Sequence, residues 1–158
     1  MQRTATASLR RWKAQPDRKP LLLSGARQVG KTWLAQEFGR TDFANTAYVN
    51  FLDNENMQQI FAGSLSPERL LRAISIEAGQ NIDPTTTLVI LDEIQESPRV
   101  LTSLKMFNEQ MPELAIIAAG SLLGVALHQG VSFPVGKVNH LDLYPMTFTE
   151  FLDATDEG

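Results

Sequence analysis

A chain of 158 residues, 43% hydrophobic and 20% charged, is long enough to bury a core and too ordinary in composition for a disordered or fibrous protein. It holds no cysteine, which removes disulfides and thiolate metal sites and favours a reducing compartment, expected here to be the cytoplasm. A net charge of −4 gives no clear nucleic-acid signal, and no apolar run approaches the length of a bilayer span, so no membrane partner is expected.

The charge is unevenly spread. Up to Lys31 the chain carries eight Lys and Arg against Asp17 alone, whereas from Val138 onward there are five acids and no Lys or Arg. The opening stretch, MQRTATASLRRWK, reads as a solvated helix followed by the cations of a loop. It is Arg- and Ser-rich like a transit peptide, yet the loop follows too closely to leave a separate leader.

PLLLSG, residues 20–25, has the length and apolarity of a buried strand. A helical pattern runs from Lys31 to Phe38, and Gly39 is expected to stop it. Between them, Gly25-Ala26-Arg27-Gln28-Val29-Gly30-Lys31-Thr32 satisfies G-x-x-x-x-G-K-[ST] at every fixed position. The spacing has a chemical reason. Backbone N–H groups of such a loop point inward around a β-phosphate, and glycines permit the backbone angles this needs. The following helix turns its first N–H groups and its dipole to the same anion. Lys31 is placed to reach the β and γ oxygens, and the Thr32 hydroxyl to ligate Mg²⁺. Trp12 and Trp33, on either side of this strand, read as packing residues.

TAYVNFL, residues 46–52, is a second strand. SPERLLRAISIEAG, residues 66–79, is a helix with Ser66 as N-cap, Pro67 in the first helical position and Gly79 as its stop. TTLVILDE, residues 86–93, is a strongly apolar strand that delivers Asp92 to the edge of the sheet where ligands bind. Asp92 is expected to hold Mg²⁺ from behind Thr32. Glu93, directly after it, is placed to polarise a water for in-line attack on a γ-phosphate. Gln95 can orient that water or bridge to the next helix.

SPRVLTSLKMFNEQM, residues 97–111, repeats the Ser-Pro opening and lines up Leu101, Leu104, Phe107 and Met111 in one apolar stripe. LAIIAAGS, residues 114–121, is the fourth strand and VNHLDLYP, residues 138–145, the fifth. If the fourth strand lies between the first and third, Ser121 arrives beside the γ-phosphate, to sense it or orient the water; Ser121 also suits the N-cap of the LLGVAL helix. Short apolar strands alternating with helical patterns predict an α/β fold with a parallel sheet. Beyond Arg99 there is no arginine, which counts against a kinase with an Arg-bearing lid. Lys137 is the candidate to reach a phosphate, in this subunit or from a neighbour. His128 and His140 are isolated and have no metal-ligand spacing.

With GARQVGKT, LDEIQ, LKMFNEQMPELAIIAAGSLLGVAL and SFPVGKVNHLDLYPMTFTEFL in hand, the chain resembles the prokaryotic AAA-type ATPases that join an N-terminal P-loop domain to a poorly characterised C-terminal one. The resemblance runs from about Arg11 to Ala154. It implies a three-layer P-loop NTPase with a five-stranded parallel sheet in the order 5-1-4-3-2 and helices on both faces. Glu93 is then the catalytic base, assisted by Lys31, and Ser121 stands in the sensor position. Relatives carry Gly-Arg, or in one branch Gly-Lys, where this chain has Gly136-Lys137. The expected organisation is a helical lead-in over residues 1–19, the ATPase domain over 20–145 and the start of a truncated C-terminal region over 146–158.

The sequence thus predicts an Mg²⁺-dependent, ATP-hydrolysing domain. ATP and ADP lie on residues 25–32 and Lys137, the metal lies on Thr32 and Asp92, and a homo-oligomer or partner protein supplies a further cation. Turnover by this chain alone is expected to be slow. Two alternatives stand beside it: a switch that holds nucleotide without hydrolysis, and a small-molecule kinase. The absence of an N-K-x-D motif leans against GTP.

Overall fold

The computed structural model describes residues 3–25, 30–120 and 138–143. In chain order they form α1 (Arg3–Ala14), β1 (Leu21–Gly25), α2 (Lys31–Asp42), β2 (Asn45–Asn50), α3 (Glu55–Ala62), α4 (Pro67–Ala78), β3 (Thr87–Asp92), α5 (Arg99–Gln110), β4 (Ala115–Gly120) and β5 (Asn139–Leu143). A 3-10 turn at Ile94–Glu96 joins β3 to α5.

The five strands make one sheet in the order β2-β3-β4-β1-β5, and every pairing is parallel. This is the expected order read from the other edge. Side chains on a strand alternate between faces, and here the alternation sorts the core into two layers. Leu21, Leu23, Leu88, Ile90, Ala115, Ile117 and Ala119 pack with Leu9, Trp12, Leu34 and Phe38 of α1 and α2. Leu22, Val89, Leu91, Ile116 and Ala118 pack with Met57, Phe61, Leu70, Ile74, Leu104 and Phe107 of α3, α4 and α5. β3 and β4 are buried along their whole length, as a parallel sheet covered on both faces requires.

Two expectations need correction. Gly39 does not stop α2, which runs on to Asp42. Glycine is there because a Cβ at that position would lie 2.3 Å from Thr46 Oγ1 and 3.2 Å from Leu88 Cδ2. Trp33 is not a packing residue: it stands 50% exposed on α2. The helix at Pro67 opens after Ser66 and closes at Gly79 with φ 67°, as expected, although the Ser66 side chain makes no capping bond. α3 was not foreseen. Its start is set by the Asn54 side chain, which accepts the Met57 N–H at 3.2 Å, and Phe61 fixes it edge-to-face on Phe51 with centroids 5.1 Å apart.

α1 is fastened to the end of α2. Arg10 Nε donates to Asp42 Oδ2 at 3.1 Å, and Lys13 Nζ donates to the Asp42 carbonyl, cations where the helix dipole favours them. Burial pushes the Asp42 carboxyl up, but the bonds from Arg10 and Thr41 and the charges of Arg10 and Lys13 outweigh it and hold the group below its usual range.

Candidate functional site

The C-terminal ends of β1 and β3 and the N-terminus of α2 meet at one edge of the sheet. Gly25 closes β1, and Gly30 caps α2 with φ 80° and ψ 27°, a left-handed conformation costly for any residue with a Cβ. Among the described residues no side chain caps this helix, and a helix start of this kind is what an anion site uses. Lys31, in the first turn, is only 4% exposed. Residues 26–29 lie outside the described residues.

Asp92 is brought to the site by parity. It follows Leu88 and Ile90 on the face toward α2, so its carboxylate points at the start of that helix. The Thr32 hydroxyl donates to Asp92 Oδ2 at 2.6 Å, across 60 residues of sequence. The Glu93 backbone N–H donates to Asp92 Oδ1 at 2.9 Å. A second hydroxyl, that of Tyr48 on β2, also donates to Oδ2 at 2.7 Å. Burial pushes the Tyr48 phenol well above its usual range, and the bond to Asp92 and that carboxylate's charge add to the shift. Tyr48 therefore remains a donor across the working range of pH. Asp92 itself is 1% exposed, so its three donors stand in place of water.

Glu93 takes a left-handed conformation, φ 56° and ψ 44°, which is uncommon outside glycine and turns its side chain out of the strand. The 3-10 turn behind it is anchored by Ile94, which is buried in the α3–α5 layer. Gln95 reaches back, its Nε2 donating to Glu93 Oε2 at 2.5 Å, while its own Oε1 is buried without a partner among the described residues. This contact with Glu93 is neither of the two roles expected for Gln95, orienting water or bridging to the next helix.

A hard hydroxyl and a carboxylate 2.6 Å apart are a donor set that fits Mg²⁺, because the cation prefers one or two protein oxygens and takes the rest from phosphate and water. Among the described residues no group of three His, Asp or Glu could hold a metal by itself, so a cation here would depend on phosphate oxygens. The structure thus brings together Gly25, Gly30, Lys31, Thr32, Asp92 and Glu93. Ser121, Lys137 and His128 lie outside the described residues, but β4 does run between β1 and β3, the condition set for Ser121. His140 lies on β5 beside Leu22. The Trp12 indole N–H donates to the Lys19 carbonyl at 2.7 Å, before β1 begins. Among the described residues no helix is long and apolar enough to cross a membrane.

A family model described as an AAA domain matches residues 17–152. No curated protein matches the chain. Among solved structures, a Walker-type ATPase of Pyrococcus abyssi has the same fold, with a TM-score of 0.57 at 16% identity. The alignment covers 98% of this chain and 55% of that one, so the chain spans little more than half the length of that relative.

Proposed function

Because the chain belongs to the AAA domain family and carries nucleotide-binding machinery of the ATPase type, we propose that it binds ATP together with Mg²⁺ and hydrolyses the γ-phosphate. The observation that carries this reading is the hydroxyl–carboxylate pair of Thr32 and Asp92, 2.6 Å apart, with Glu93 next in the chain at the open edge of the sheet. In this reading Gly25 and residues 26–29 with Gly30 wrap the β-phosphate, and Lys31 neutralises the β and γ oxygens. Thr32 donates its proton to Asp92 and keeps a lone pair for the cation, so Asp92 orients Thr32 from behind. A Mg²⁺ ion held by Thr32, with Asp92 behind it, would supply charge neutralisation to the β- and γ-phosphate oxygens. Glu93 accepts a proton from water as the water oxygen bonds to the γ-phosphorus, and the bond to the leaving β-phosphate oxygen breaks to give ADP and phosphate. Ser121 is assigned to sense the γ-phosphate and Lys137 to reach it, in this subunit or from a neighbouring copy or partner.

The organisation proposed with it is a lead-in over residues 1–19, an ATPase domain over 20–145 and a further region from 146, in a cytoplasmic protein. One observation favours the alternative of a switch that holds nucleotide without hydrolysis: Gln95 already occupies Glu93 Oε2. Phosphate release from Mg·ATP separates the two. Wild type is expected to turn over, Glu93→Gln to bind but lose turnover by about a hundredfold or more, as for removal of a general base, and Lys31→Ala to lose binding. Binding by wild type with no more phosphate release than Glu93→Gln would establish the switch instead.

A further inference from the structure

The carboxylate of Asp92 is held by three donors from three parts of the chain. Its own strand end supplies the Glu93 N–H to Oδ1, α2 supplies the Thr32 hydroxyl to Oδ2, and β2, at the rim of the sheet, supplies the Tyr48 hydroxyl to that same Oδ2. In the register of β2 on β3, Asn50 is the residue opposite Asp92 and Tyr48 is opposite Ile90. Tyr48 thus reaches Asp92 diagonally, along the face toward α2, and only a side chain as long as tyrosine spans that step. Its ring is half-buried against the α1–α2 layer, which leaves the hydroxyl as the polar end of an otherwise packed group.

Two hydroxyls on one carboxylate oxygen constrain it more than one does. With Thr32 alone, Oδ2 could swing with the Thr32 rotamer. With Tyr48 fixed in the rim strand, the oxygen has a second anchor that does not belong to α2 or to the phosphate loop. We infer that Tyr48 is a positioning residue of the metal site: its hydroxyl fixes Asp92 Oδ2 so that the carboxylate keeps the Thr32 hydroxyl turned toward the cation. The inference rests on the reading of Thr32 and Asp92 as the metal-supporting pair, and the experiment separates the two.

The test is a Mg²⁺ titration of ATP hydrolysis and of fluorescent ATP binding by the full chain, comparing wild type, Tyr48→Phe and Asp92→Asn, with the melting temperature of each. Tyr48→Phe keeps the ring and removes only the hydroxyl. It is expected to raise the half-saturating Mg²⁺ about tenfold, the lower end of the range for groups that orient metal ligands. Nucleotide affinity in EDTA should stay as in wild type, while the melting temperature falls by several degrees for the lost bond to a buried carboxylate. An unchanged Mg²⁺ midpoint in Tyr48→Phe beside a shifted one in Asp92→Asn would overturn the role of Tyr48 alone. Equal losses with and without Mg²⁺ would reduce Tyr48 to a packing residue and overturn it as well. An unchanged midpoint in Asp92→Asn would overturn the metal reading of the pair, and the inference with it.

Discussion

Glu93 and Gln95 form a strained pair with opposing costs. The left-handed backbone of Glu93 persists only where its surroundings hold it, and the Gln95 amide bonded to its carboxylate is part of that hold. The same amide buries an acceptor that has no partner among the described residues. A hydrogen bond to a charged group contributes about 1.5–3 kcal/mol and a buried unsatisfied acceptor costs about 1–3 kcal/mol, so the two nearly cancel. Gln95→Ala is therefore expected to leave stability within about 1 kcal/mol of wild type, while kcat falls roughly tenfold, about 1.4 kcal/mol of barrier, with KM unchanged, if Gln95 holds Glu93 in place. A rise in phosphate release would instead favour the switch, in which Gln95 occupies the carboxylate. Steady-state kinetics beside urea unfolding check both halves. At this scale Thr32, Asp92 and Glu93 were legible in the sequence because each occupies a fixed place in a local motif. Tyr48 was not. A tyrosine within TAYVNFL reads as strand packing, and its reach to Asp92 depends on the register between β2 and β3, which no local pattern encodes.

The fit of α2 on the sheet turns on Gly39. In a helix interior, exchanging glycine for alanine ordinarily stabilises by about 1 kcal/mol. Here the added Cβ would sit 2.3 Å from Thr46 Oγ1, on a β-branched side chain with little freedom to turn, and the sign reverses. Gly39→Ala is expected to destabilise by about 1–3 kcal/mol. Thr46→Ala in the same chain should recover most of that loss, since the two positions touch and their effects do not add; thermal unfolding of the single and double variants decides. A glycine late in a helical pattern reads as a stop because that is its commoner use, and only the distance to β2 reveals the other one. α3 escaped notice for a related reason: its eight residues bury just Met57 and Phe61, too few for a periodicity to stand out. The long apolar strands, by contrast, declare themselves, since β3 and β4 are buried on both sides.

At the scale of the molecule, nucleotide contacts would join elements that the bare fold leaves far apart in sequence: the loop after β1, the start of α2 and the end of β3. A ligand that binds only the folded chain stabilises it by about 2.7 kcal/mol at a hundred times its Kd. For a chain of 158 residues that corresponds to a rise in Tm of about 5–10 °C. Scanning calorimetry with Mg·ADP is expected to show this rise, EDTA to diminish it and Lys31→Ala to abolish it. The order of the strands was legible only through family resemblance, because apolar runs announce strands but not their neighbours. The odd–even sorting of β3 between the two layers has a consequence for how such a chain can change over generations. Leu88, Val89, Ile90 and Leu91 can each be exchanged for another apolar residue at modest cost. A single codon gained or lost among them would turn Asp92 away from Thr32 and toward the opposite layer. Descent can rewrite the letters of this strand far more freely than it can alter their number.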